Sequence, residues 1–220
     1  MTLETRKRWL SVGGLACAAM LLLAIGAAVG VAVEHHRDAA SRRAQPSATD
    51  IGFAQDMAAH HDQAILMSRS LPGSADAEIR SVAQRIISTQ TAEVATMRGW
   101  LTWFGEPLAS TDPMSWMPSQ PAHRHNVGNT ADEVPMPGMA SVTELTKLAA
   151  STGGTASIFF LQLMIRHHRG GVSMAQAAFN APDAASATKQ LALSMIGDQG
   201  DEIGQMTLLL TARGGQPLTP

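Results

Sequence analysis

Two short stretches of this chain carry residue types that bind soft metal ions, and they carry them at the same spacing. Phe53, Met57, His60, His61 and Met67 follow the pattern Phe-x3-Met-x2-His-His-x5-Met, and Phe160, Met164, His167, His168 and Met174 repeat it 107 residues later. A second pair of stretches behaves alike. Ala83, Gln90, Glu93 and Met97 recur as Ala192, Gln199, Glu202 and Met206, now 109 residues on. A constant offset at such positions marks an internal duplication. Imidazole and thioether together suit copper, and thioether favours Cu(I) over Cu(II). The candidate metal ligands are therefore His60, His61, His167, His168, Met57, Met164, Met67, Met174, Glu93, Glu202, Met97 and Met206.

Other chemistries compete for these residues. The four histidines could be core side chains that hydrogen-bond Glu93 and Glu202 across a bundle, with methionine as filler. A carboxylate-bridged di-iron or di-manganese site needs four to six carboxylate and His ligands with Glu-x2-His motifs. Here Met57 and Met164 hold the position three before the first His, and only Glu93 and Glu202 fall on inward stripes, so the set is too soft. No nucleophile elbow, phosphate-binding loop or Ser-His-Asp ordering is present, and the expectation is a binding protein rather than an enzyme. Gln90 and Gln199 are read as structural, orienting a histidine from a second layer.

Helices must position these groups. At 100° per residue, Phe53, Met57, His60, Ala64 and Met67 fall on one stripe. Ala83, Ile86, Gln90, Glu93, Met97, Leu101 and Phe104 form another, repeated by Ala192, Met195, Gln199, Glu202, Met206 and Leu210. The pattern predicts helices over about 50–71, 76–104, 155–180 and 182–212, with a short one over 141–150 ending at Gly153-Gly154. Thr49 or Asp50 is the expected first N-cap. No segment alternates as a strand does. Residues 105–140 hold six prolines, too many for a helix, and also Met114, Met117, Met136, Met139, His123 and His125. These side chains either pack the crossover onto the bundle or capture copper. Gly170-Gly171 lies inside a predicted helix and reads as close helix packing.

The paired Met-x2-His-His segments, each followed by Gln-x2-Glu-x3-Met, resemble the bacterial DUF305 family over about residues 50–212. The resemblance implies a ferritin-like, all-α four-helix bundle of two repeated hairpins, exported, with copper binding in some members. One departure is visible. Asp50 sits three residues before the motif Phe in the first repeat, and Ser157 takes that place in the second.

Charge and composition narrow the setting. The net charge of −2 gives no basic footprint for nucleic acid. The single cysteine, Cys17, lies in the apolar N-terminal run, so the rest of the chain has no thiol for a Cys-type zinc site. Arg6, Lys7 and Arg8 precede an uncharged run from Trp9 to Val33, 25 residues, enough to span a bilayer as a helix. The expected division is an anchor over 1–33, a linker over 34–48, a four-helix domain over 49–212 and a tail over 213–220. Within the domain, repeat one takes 49–104, the crossover 105–140 and repeat two 141–212. The sequence thus predicts a single-pass membrane protein, N-terminus inside and domain outside, that binds copper for sequestration or transfer. Cleavage near Ala32 and secretion is the alternative placement. A metal-free structural or accessory bundle, docking on a membrane or envelope complex, is the alternative function, and the expected protein partner is an envelope protein or a second copy of the chain.

Overall fold

A computed structural model describes residues 20–36, 45–117 and 134–218. Residues 20–36 are helical and belong to a unit separate from the compact domain, which begins at Pro46. Cys17, His123, His125 and the first part of the expected anchor lie outside the described residues. Among the described residues no helix is long and apolar enough to cross a membrane.

The domain is all-helical, with no strand among the described residues. Its elements are α1 (Ala48–Ser70), α2 (Ala77–Phe104), α3 (Val142–Ala150), α4 (Gly153–Asn180) and α5 (Ser186–Ala212). α1 packs along α2, α4 packs along α5, and α1 against α4 joins the two hairpins into a bundle.

Local chemistry sets the ends. α1 starts at Ala48, about two residues earlier than the sequence suggests. The Ser47 hydroxyl accepts from Asp50 N at 3.1 Å, and Asp50 Oδ2 accepts from Ser47 N at 2.8 Å, a reciprocal capping box. Asp50 is therefore a first-turn residue and Ser47 the cap. α5 starts later, at Ser186 rather than 182. The residues before it fasten the hairpin to α1: Asp183 accepts from Thr49 Oγ1 at 2.9 Å, and Asp50 Oδ1 accepts from Ala185 N at 2.9 Å. α2 and α5 end alike. Gly105 and Gly214 take left-handed φ of 74° and 71°, and Glu106 N and Gly215 N reach back to Leu101 O and Leu210 O at 2.8 and 3.0 Å.

The duplication governs the packing. Phe53, Met57, Met97 and Met174 lie in one buried apolar cluster, and their repeat mates Phe160, Met164, Met206 and Met67 lie in the other. A twofold rotation that swaps α1 with α4 and α2 with α5 swaps the clusters. Hydrogen bonds obey the same rotation. Gln55 Nε2 donates to Pro107 O and Gln162 Nε2 to Gln216 O, both at 2.7 Å. The departure at Ser157 is resolved by it too. Ser157 Oγ accepts from Asp76 N at 2.9 Å, the mate of the Asp50–Ala185 bond, so a hydroxyl does the carboxylate's work.

The crossover breaks the symmetry. Asp56 Oδ2 accepts from Met114 N at 2.7 Å and Trp116 Nε1 at 2.9 Å, and the Trp116 ring meets Phe53 edge-on. On its return, Gln63 clamps Ala140 through both backbone groups, at 2.9 and 2.7 Å. Met136 is buried, and Met114, Met117 and Met139 pack against the core, which favours the packing reading of these side chains. Pro137-Gly138 lies on α4 over Gly170, where a Cβ would strike the Pro137 carbonyl. The close packing expected at Gly170 is thus between helix and crossover.

Gly170→Ala should therefore destabilise the domain by about 1–3 kcal/mol through overpacking. Gly204→Ala, in α5 with open space around it, should stabilise by up to about 1 kcal/mol through helix propensity. Urea denaturation of the two variants checks this, and stabilisation by both would show that the crossover does not rest on Gly170.

Candidate metal centre

Adjacent residues on a helix point about 100° apart, so each His-His pair serves two directions. His60 of α1 and His167 of α4 turn towards each other, with ring centroids 3.8 Å apart and planes at 33°. His61 and His168 turn to the partner helix of their own hairpin. His61 Nε2 meets Glu93 Oε2 of α2 at 2.8 Å, and His168 Nε2 meets Glu202 Oε2 of α5 at 2.7 Å. The rings form a row, His61, His60, His167, His168, with outer spacings of 6.4 and 6.2 Å. All four are buried.

The pairing corrects one expectation. The carboxylates hold His61 and His168, whereas His60 Nε2 meets the Pro137 carbonyl of the crossover at 3.0 Å. Pro137 was not among the expected site residues. The one sequence signal for it is a broken repeat: Gln63, which clamps the crossover, has Gly170, which makes room for it, as its mate.

These contacts orient three of the four rings. A carbonyl oxygen only accepts, so His60 Nε2 donates and its Nδ1 carries a bare lone pair. Against an ionised carboxylate, His61 Nε2 and His168 Nε2 likewise donate. Each Nδ1 lacks a protein partner, as do both nitrogens of His167, both amide atoms of Gln90 and Nε2 of Gln199. A buried polar atom left so costs about 1–3 kcal/mol, and five of these atoms belong to the row of four histidine rings. An imidazole with one nitrogen donating to an oxygen and the other bare is oriented as metal-ligating histidines are.

Buried methionines flank the layer along the helices. Met57, Met97 and Met174 lie in the cluster on one side of it, Met67, Met164 and Met206 in the cluster on the other, all fully buried. Among the described residues no three His, Cys, Asp or Glu side chains converge as a ready metal shell. A metal held here must draw on thioethers or draw the rings together.

Burial and the neighbouring His61 push the His60 imidazole down to about 3. Burial, then His60, His168 and His61, holds His167 well below the ordinary 6.5. The inner pair is therefore neutral at ordinary pH. Protons therefore do not compete with a metal for these two rings near the ordinary histidine value of 6.5.

The model of the family described as a domain of unknown function, DUF305, matches residues 50–210. No curated protein matches the sequence. Among solved structures, a DUF305 protein of Streptomyces coelicolor described as secreted is 36% identical, with 78% of this chain and 96% of that chain covered and a TM-score of 0.67. A DUF305 fragment from Deinococcus radiodurans is 27% identical, with 76% and 99% covered and a TM-score of 0.60. CopM, solved in the Cu(I)-bound form, is 24% identical, with 77% and 100% covered and a TM-score of 0.55; this likeness is one of fold.

The neutral inner pair makes stability depend on pH. Unfolded histidine titrates near 6.5 and binds a proton that folded His60 and His167 refuse. Their contribution is constant above that pH and is lost as pH falls below it, by about 1.4 kcal/mol per pH unit for each fully titrating ring. Denaturation midpoints of the metal-free protein between pH 8 and pH 5 should fall accordingly. A His60→Leu/His167→Leu variant should show a flatter profile, and an unchanged slope would refute the assignment.

Proposed function

Because the chain belongs to the DUF305 family, whose function is unknown, we propose from the site itself that this protein binds copper, as Cu(I), outside the cytoplasm for sequestration or transfer. One observation carries the reading: buried imidazoles with one nitrogen committed to an oxygen and the other without a partner, between two sets of methionine sulfur. Soft donors with no thiol in the domain favour Cu(I) over Zn(II), because thioether is a poor zinc ligand. His60 and His167 are the central ligands, with Met57 and Met164 one turn away on the same helices. His61 and His168 are outer ligands whose Nε2 protons Glu93 and Glu202 hold. Met67, Met174, Met97 and Met206 supply further sulfur. CopM shares the fold and was solved with Cu(I), which agrees with this reading but does not extend to its residues.

Export rests on the sequence. The uncharged run from Trp9 to Val33 behind Arg6, Lys7 and Arg8 acts as an anchor, and the Streptomyces coelicolor relative is described as secreted. A metal-free accessory bundle is the second reading. The His61–Glu93 and His168–Glu202 pairs favour it, since such pairs also tie a bundle together.

Titration of the purified protein with Cu(I), Cu(II) and Zn(II) should show Cu(I) bound most tightly. His60→Leu with His167→Leu should abolish that binding. It removes three unpartnered nitrogens and strands one acceptor, the Pro137 carbonyl, so the metal-free fold should be as stable or more so. Glu93→Gln with Glu202→Gln should weaken Cu(I) binding by about 10- to 100-fold, the usual effect of losing a ligand's outer partner. Copper affinity unchanged in the double-leucine variant would replace this reading with that of a core histidine network.

A further inference from the structure

The two ends of the domain differ in chemistry. α1 begins, α2 ends, α4 ends and α5 begins at one end. Gln55 holds the Pro107 carbonyl just past α2, and Thr49 and Asp50 hold Asp183 and Ala185 between α4 and α5. At this end Trp103 stands 85% exposed, and Phe104, Leu108 and, at the end of α4, Phe179 are exposed too. The duplication shows that packing does not require them. With the offset of 109, the mates of Trp103 and Phe104 are Ala212 and Arg213, and Arg213 bonds Asp76 and Glu78 at 2.7 and 2.9 Å. One end of a near-symmetric molecule thus ends in aromatic rings where the other ends in an ion cluster.

The aromatic end is also the end at which the chain enters. The domain begins at Pro46, about a dozen residues after the uncharged run closes at Val33. An indole ring prefers the head-group level of a bilayer, where its apolar face and polar N–H are both satisfied, and phenyl and leucine side chains bury beside it at the acyl boundary. Glu106 and Asp112 in the adjoining segment disfavour attraction to an anionic surface, so the rings supply the affinity. We propose that this end of the domain docks on the lipid bilayer, with Trp103, Phe104 and Leu108 seated in the head-group region. The proposal rests on the anchored reading above.

The test uses the full chain in phosphatidylcholine liposomes, with Cys17→Ser to free the labelling chemistry. An environment-sensitive fluorophore is placed through Trp103→Cys at the aromatic end, or through Leu208→Cys at the opposite end. Leu108→Cys repeats the first measurement with both rings kept. Probes at 103 and 108 should shift to the blue and be quenched by nitroxide-labelled lipid several-fold more than the probe at 208. Equal, water-like emission at all three positions in vesicles that carry the protein on flotation would overturn the docking and leave the anchor standing. A chain that does not float with the vesicles would overturn both.

Discussion

The structure depends on what it costs to bury four imidazoles where two hairpins meet. α1 and α4 approach through His60 and His167, and no apolar residue separates the rings. Every ring nitrogen in that layer must find a partner or lower the stability of the fold. Three of them have found oxygens, and those oxygens come from three different elements: α2, α5 and the crossover. The layer therefore ties almost every part of the domain together. The large apolar clusters on either side supply the driving force for folding, and the histidines decide which helices face which.

Around this layer the duplication is kept in bonds that look minor singly. The acceptors Asp50 and Ser157, the donors Gln55 and Gln162, and the left-handed glycines 105 and 214 each recur at the mate position with matching geometry. Departures from the rotation are concentrated in the crossover. It is bound at Asp56 and Gln63, whose mates are Leu163 and Gly170, and it reaches the histidine layer on one side. Burial raises the Asp56 carboxyl above the ordinary carboxylate range, against the Met114 and Trp116 bonds that lower it.

Much of this was legible in the residues. Period-3.6 stripes gave the helices, because each must bury one face, and the spacing of Met57, His60 and His61 against Met164, His167 and His168 gave the pairing of the halves. The capping at Ser47 escaped notice because Thr49 and Asp50 are equally good cap residues, and only backbone geometry chooses between them. The same limit hid the late start of α5, where Pro182-Asp183 resembles a helix start but Asp183 serves Thr49 instead. Which histidine takes which glutamate was not readable either. Both members of each pair lie at or beside the inward stripe, and residue type does not say which of two directions about 100° apart faces the partner helix. The Pro137 contact was hidden more deeply, since a backbone carbonyl leaves no signature in residue type.

The crossed bonds of Asp50 and Ser157 have a bearing on origin. Each sits on the first helix of one hairpin and accepts from the backbone that opens the second helix of the other, so the start of each second helix is bonded by the opposite hairpin. A half-length ancestor with one His-His motif would have gained these caps only by pairing with an identical copy, an isologous dimer with one imidazole from each subunit on its axis. Joining two such copies in one chain replaces a concentration-dependent association with a tether, at an effective concentration set by the crossover's length. Covalently joined halves need not be identical, and here a glutamine stands at 63 where its mate at 170 is a glycine.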